Sequence, residues 1–80
     1  MNAIIPAALM SVLSVDPDVM HGQLCFRGTR VPLTVLLDDL EEEMDADEFH
    51  IHYPTVAREQ VRAVVAWEQR EMRRSVGIEN

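Results

Sequence analysis

The side chains best suited to chemistry in this sequence are arginines, and one tight grouping is Arg58, Gln60 and Arg62. An arginine fork grips a carboxylate, a phosphate or the edge of guanine through two hydrogen bonds, and a glutamine amide pairs with adenine in a similar way. These residues open a segment with helical periodicity, so a helix there carries them in its first turns. The alternative reading is a solvated helix face. Arg70, Arg73 and Arg74 follow on the same segment, and Arg27 and Arg30 flank Gly28-Thr29 far upstream. Arg27 and Arg30 suit either a phosphate or partner contact or a structural lock in which Arg30 pairs with Asp16, Asp18 or a helix C-terminus. The backbone-shaping residues around them favour the lock.

Catalysis has little to build on. The chain has no Gly-rich phosphate loop and no nucleophile and base at a telling spacing, so no enzymatic activity is expected. His50 and His52 stand two residues apart and would not share a helix face. With His21 and Cys25 elsewhere, neither a metal site nor a cofactor is expected. Cys25 reads as a small core residue, and one cysteine alone forms no intrachain disulfide, which suits a reducing cytoplasm. The net charge of −7 opposes nonspecific binding to nucleic acid. That total hides a segregation. Residues 38–48 hold eight acids and no base, whereas residues 49–80 hold five arginines against four acids, and all seven basic residues are arginine. The acidic run, Glu41 and Glu42 included, is either a solvated surface or a face for a partner.

The elements that must position these groups are short. Eighty residues suit a single domain with a small core, which a dimer or a partner would help to stabilise. The first fifteen residues are apolar, but they lack a basic start and Pro6 interrupts them, so neither a signal peptide nor a membrane span is expected. Residues 1–30 form an N-terminal arm. Ala7 to Leu13 have helical propensity, and Leu24 to Arg27 suit a short strand. The joint between arm and body lies at Asp16 to Leu33. There Pro17 fixes its own φ and biases Asp16 toward an extended shape, Gly22 and Gly28 permit unusual backbone angles, and Thr29-Arg30-Val31-Pro32 leads into a helix.

Residues 31–75 read as three helices. The first runs from Pro32 or Leu33 to Glu43 with a stripe of Leu33, Leu36, Leu37 and Leu40. Glu41 to Glu43 crowd its C-terminus, where the helix dipole favours cations. The second spans Ala46 to His52, with Asp45 as N-cap, Glu48 at capping-box spacing and Phe49 as buried anchor. Tyr53-Pro54 ends it. The third begins near Ala57 or Arg58, or two residues earlier if Thr55 caps it, and runs to about Arg73. Its apolar face is Ala57, Val61, Val64, Val65 and Met72, with Phe49 and Val61 as the staple between helices two and three. Trp67 reads as a core or dimer contact. Glu59 with Arg62 and Glu71 with Arg74 are candidate ion pairs, and residues 76–80 form a frayed tail. The fold expected is mainly α: a three-helix helix-turn-helix bundle preceded by a short two-stranded β arm. The helical pattern alone suits a plain trihelical bundle equally well.

Asp16-Pro17, Gly22, Gly28-Thr29-Arg30-Val31-Pro32 and Tyr53-Pro54 carry a resemblance. With Leu36 to Leu40, Asp47-Glu48-Phe49 and Glu59-Gln60-Val61, they resemble the domain-of-unknown-function family four-thirty-three over roughly residues 14–68. The resemblance implies a small helix-turn-helix antitoxin of a toxin–antitoxin pair, binding as a homodimer to operator DNA and neutralising a PIN-like ribonuclease. It favours a strand at Ser11 to Val15 paired with Leu24 to Arg27, and it would place Arg58, Gln60 and Arg62 at base edges. The acidic run would occlude the ribonuclease's RNA groove, or Arg70, Arg73 and Arg74 would reach its metal-binding carboxylates. The family usually has Gly near Glu43 and Thr at Ala57, and both departures lie in the motif itself. Other readings are an interaction module that never touches DNA and a stand-alone transcriptional regulator.

Overall fold

The computed structural model of the protein describes residues 5–77. A two-stranded antiparallel hairpin, β1 (Leu13–Val15) and β2 (Leu24–Phe26), precedes three helices, α1 (Leu33–Glu41), α2 (Ala46–His52) and α3 (Arg58–Ser75). The register pairs Leu13 with Phe26, Ser14 with Cys25 and Val15 with Leu24. Because strand residues alternate between faces, Leu13 and Phe26 point into the core together. The arm is therefore an edge of the core rather than an appendage. The segment before β1 is not all strand: Ala7–Leu9 make a 3-10 turn whose Leu9 is buried. Met1 to Ile4 and residues 78–80 lie outside the described residues, so the outermost arm and the end of the expected tail are not described.

The core joins Leu9, Leu13 and Phe26 from the arm side to Leu36, Phe49, Val56, Val61 and Val64. Phe26 and Phe49 stack at 5.9 Å between centroids, and Tyr53 continues the row at 4.8 Å from Phe49. The expected staple of Phe49 and Val61 is there, with both side chains fully buried. Three apolar positions differ from expectation: Ala57, placed on the apolar face of helix three, is exposed, and so are two larger residues. Leu37 is 42% exposed and Met72 62% exposed. On α1, Leu33 and Leu40 pack against the core beside the fully buried Leu36, so only Leu37 leaves the expected stripe. The residues of α3 beyond Trp67 are mostly exposed.

The helix ends follow local rules. Asp45 caps α2, its Oδ1 accepting the Glu48 backbone N–H at 2.9 Å. Tyr53-Pro54 closes α2, with Tyr53 as C-cap. α1 ends at Glu41 rather than Glu43, and Glu43 adopts φ 63°. Glu43 thus makes the left-handed turn for which glycine has no steric penalty. Met20 and His21 also take positive φ (49° and 57°), followed by Gly22 at 81°. The hairpin connection therefore contains a left-handed turn of which only the glycine was marked in the sequence. Helix α3 runs two residues beyond the expected Arg73, to Ser75. Its end is closed by the Val76 and Gly77 N–H groups on the Met72 and Arg74 carbonyls, so the tail is ordered that far.

Candidate functional site

The outer face of α3 begins at Ala57, which is the N-cap; the helix does not start earlier on Thr55. Alanine has no side-chain acceptor for the helix's free N–H groups. Gln60 supplies the other half of the cap, its Oε1 accepting the Ala57 N–H at 2.9 Å. The same amide then turns inward. Its Nε2 donates to the Arg27 carbonyl at 3.1 Å and more weakly to the Val12 carbonyl at 3.4 Å. Every polar atom of Gln60 is engaged within the chain, so it is not poised to read a base. It is instead the clasp between α3 and the arm.

Arg58 and Arg62 do face outward, one helical turn apart. The Arg58 Nε lies 2.9 Å and the Arg62 Nη2 3.3 Å from the same Asp47 Oδ1. Asp47 sits in the first turn of α2, where a carboxylate also favours the helix dipole. The three side chains are 46%, 59% and 62% exposed. At that exposure each pair contributes at most about 1 kcal/mol, so the carboxylate orients the guanidiniums without locking them. The expected Glu59–Arg62 pair does not form; Arg62 turns to Asp47 instead. The turn between α2 and α3 is held by the Val56 N–H on the Tyr53 carbonyl, and by the His50 Nδ1–H donating to the Val56 carbonyl at 2.7 Å. His50 is thus a turn fastener, a role the sequence reading missed.

Further along α3, Arg70, Arg73 and Arg74 are all exposed, and Arg74 pairs with Glu71 at 3.7 Å. Glu41 and Glu42 lie at the exposed C-terminal end of α1. The helix end thus separates this acidic pair from the arginine-bearing turns of α3 along the chain.

The joint residues divide into two groups. Asp16 Oδ1 accepts the Asp18 N–H, and Pro17 sits within that turn. Gly28 takes φ 80°. The Thr29 hydroxyl donates to the Phe26 carbonyl at 2.9 Å and accepts the Val31 N–H at 3.0 Å. Pro32 is the N-cap of α1. Arg30, by contrast, makes no hydrogen bond or ion pair among the described residues, so the expected pairing with Asp16, Asp18 or a helix end is absent. Arg27 fastens the arm in its place: its guanidinium donates twice to the Met10 carbonyl, at 2.8 and 3.1 Å, and once to that of Leu13. Among the described residues no three His, Cys, Asp or Glu side chains are grouped to hold a metal ion, and no helix is long and apolar enough to cross a membrane.

The model of a family described as a protein of unknown function, DUF433, matches residues 13–67. The chain belongs to that family. No curated protein and no solved structure matches it. The DUF433 unit starts at the first residue of β1 and ends inside α3 at Trp67. It therefore takes in Arg30, Asp47, Arg58, Gln60 and Arg62, and leaves Arg70, Arg73 and Arg74 outside.

Proposed function

We propose that the protein is a non-catalytic, cytoplasmic antitoxin-like protein that binds operator DNA as a homodimer and holds a PIN-like ribonuclease inactive through a second surface. The observation that carries the DNA-binding part is the outward projection of Arg58 and Arg62 from the first turns of α3, behind a short helix and a tight turn. That placement suits a second motif helix entering the major groove. Arg58 and Arg62 contact base edges or phosphates, and Gln60 secures the helix that carries them. Asp47 aligns both forks in the free protein and releases them when phosphate competes. The ribonuclease contact falls to Arg70, Arg73 and Arg74, or to the acids around Glu41 and Glu42.

A second reading has its own support. Asp47 already faces both arginines, and the chain carries −7 overall. These favour an interaction module that meets its partner and never touches DNA. A mobility-shift assay on the DNA upstream of the gene, with and without the neighbouring gene's product, separates the two. A shift abolished by the Arg58→Ala/Arg62→Ala pair supports the first reading. A complex with the neighbouring product that forms without any DNA shift supports the second.

A further inference from the structure

The Gly28-Thr29-Arg30 turn does more than join the arm to the bundle. We infer that it forms a binding site for a singly charged carboxylate with an apolar body, gripped by Arg30. The site is a cleft of about 830 Å³ on the arm, within the range of small-ligand pockets. It uses none of the residues assigned above to nucleic acid.

The inference starts from what each joint residue is for. Gly28, Thr29 and Pro32 shape the backbone, and Arg27 spends its guanidinium on the Met10 and Leu13 carbonyls. Arg30 alone in this turn has no internal task. It is exposed and lines the cleft. Arg70 and Arg73 also lack ion pairs among the described residues, but they do not line this cleft. Around Arg30 the walls include Val15, Pro17, Val19 and Val31, which give a ligand apolar surface to cover.

The charged groups lining the cleft sum to one positive charge, Arg27 and Arg30 against a single carboxylate. That carboxylate is Asp16, and one of its oxygens accepts the Asp18 N–H. A monocarboxylate on Arg30 balances that net charge, whereas a doubly charged phosphate exceeds it and meets the Asp16 carboxylate at greater cost. The bidentate match between guanidinium and carboxylate supplies orientation, and the apolar walls supply area. Such a carboxylate has two sources: a free small acid, or the acidic group of a peptide segment.

Titrations of the isotopically labelled chain by NMR test the proposal, with hexanoate, N-acetylvaline and inorganic phosphate as probes at constant ionic strength. Saturable shifts of the Gly28, Thr29 and Arg30 amides and the Arg30 Nε are expected with one or both carboxylates, and weaker ones with phosphate. The tighter of the two carboxylates identifies the source. Losing the two charge-assisted hydrogen bonds in Arg30→Gln weakens binding by about ten-fold or more. Arg30→Lys, which keeps the charge without the fork, weakens it less. Because Arg30 holds nothing else, both variants keep the native spectrum. Shifts no larger than those caused by chloride, an Arg30→Gln variant that binds as well as the parent, or phosphate binding more tightly than both carboxylates would each overturn the assignment.

Discussion

Replacing Gln60 separates its two candidate roles by magnitude. In Gln60→Ala three hydrogen bonds disappear: the cap on the Ala57 N–H at 2.9 Å, and the donations to the Arg27 and Val12 carbonyls at 3.1 and 3.4 Å. A net hydrogen bond contributes about 1 kcal/mol, and losing a helix cap costs a similar amount. The 3.4 Å contact is too long to add much. The expected loss is therefore about 2 kcal/mol, reduced slightly by alanine's better helix propensity. In a domain whose whole stability is on the order of 5–10 kcal/mol, this is easily measured. It corresponds to a melting point lower by roughly 8–16 °C. Gln60→Glu refines the test. Glutamate keeps an acceptor for the cap but has no donor for the arm, so its loss should come from the Arg27 and Val12 carbonyls. Urea denaturation followed by Trp67 fluorescence, with thermal melts alongside, gives both values. If both variants stay within about 0.5 kcal/mol of the parent, the range of an ordinary surface change, the clasp does not operate and Gln60 is again free to read a base.

Other changes follow from single features. Ala57→Ser places an acceptor at an N-cap that already has extended geometry, and should raise stability by about 0.5–1 kcal/mol in the same denaturation assay. Glu43→Gly relieves the left-handed backbone at φ 63° and should be stabilising by about 0.5–1 kcal/mol, despite the added freedom of the unfolded chain. Burial pushes the Cys25 thiol above its ordinary value of 9.0. The unfolded chain then loses this proton first. The contribution is fully present below pH 9.0 and is lost as pH rises from there through the folded-state value. Native Cys25, 2% exposed, should also resist thiol reagents at pH 8 until the chain is unfolded. Asp47→Asn removes the shared partner of Arg58 and Arg62. It should tighten DNA binding more than Glu48→Gln, which removes an equal charge from the same helix without freeing either arginine.

Local rules made much of the fold readable from the sequence. Asp45, Phe49 and Tyr53-Pro54 set the start, anchor and end of α2 through neighbours within a few residues, and the structure follows them. The burial of Cys25 and Val61 was legible from their apolar surroundings, whereas β1 was legible only through the family resemblance, local propensity there favouring a helix. What escaped depends on distant partners. Gln60 meets Val12 across 48 residues of chain and Arg27 across 33, and no spacing rule foretells this. Arg27 and Arg30 look alike in sequence, yet only Arg27 lies where the Met10 and Leu13 carbonyls converge. The left-handed Met20-His21 turn lacked a signal because neither residue is a glycine. In the candidate site, the outward arginines were legible from helical spacing. Their common carboxylate, Asp47, was hidden within an acidic run that reads as a solvated face.

The salt dependence of DNA affinity, measured by fluorescence anisotropy on the upstream region, bears most directly on the proposal that α3 meets nucleic acid through its first turns. Each phosphate contact contributes about 0.9 to the slope of log affinity against log salt. If Arg58 and Arg62 both contact phosphate, the Arg58→Ala/Arg62→Ala pair weakens binding and flattens that slope by about 1.8. An affinity and slope identical to the parent's would contradict the proposal and leave α3's outer face without a nucleic-acid role.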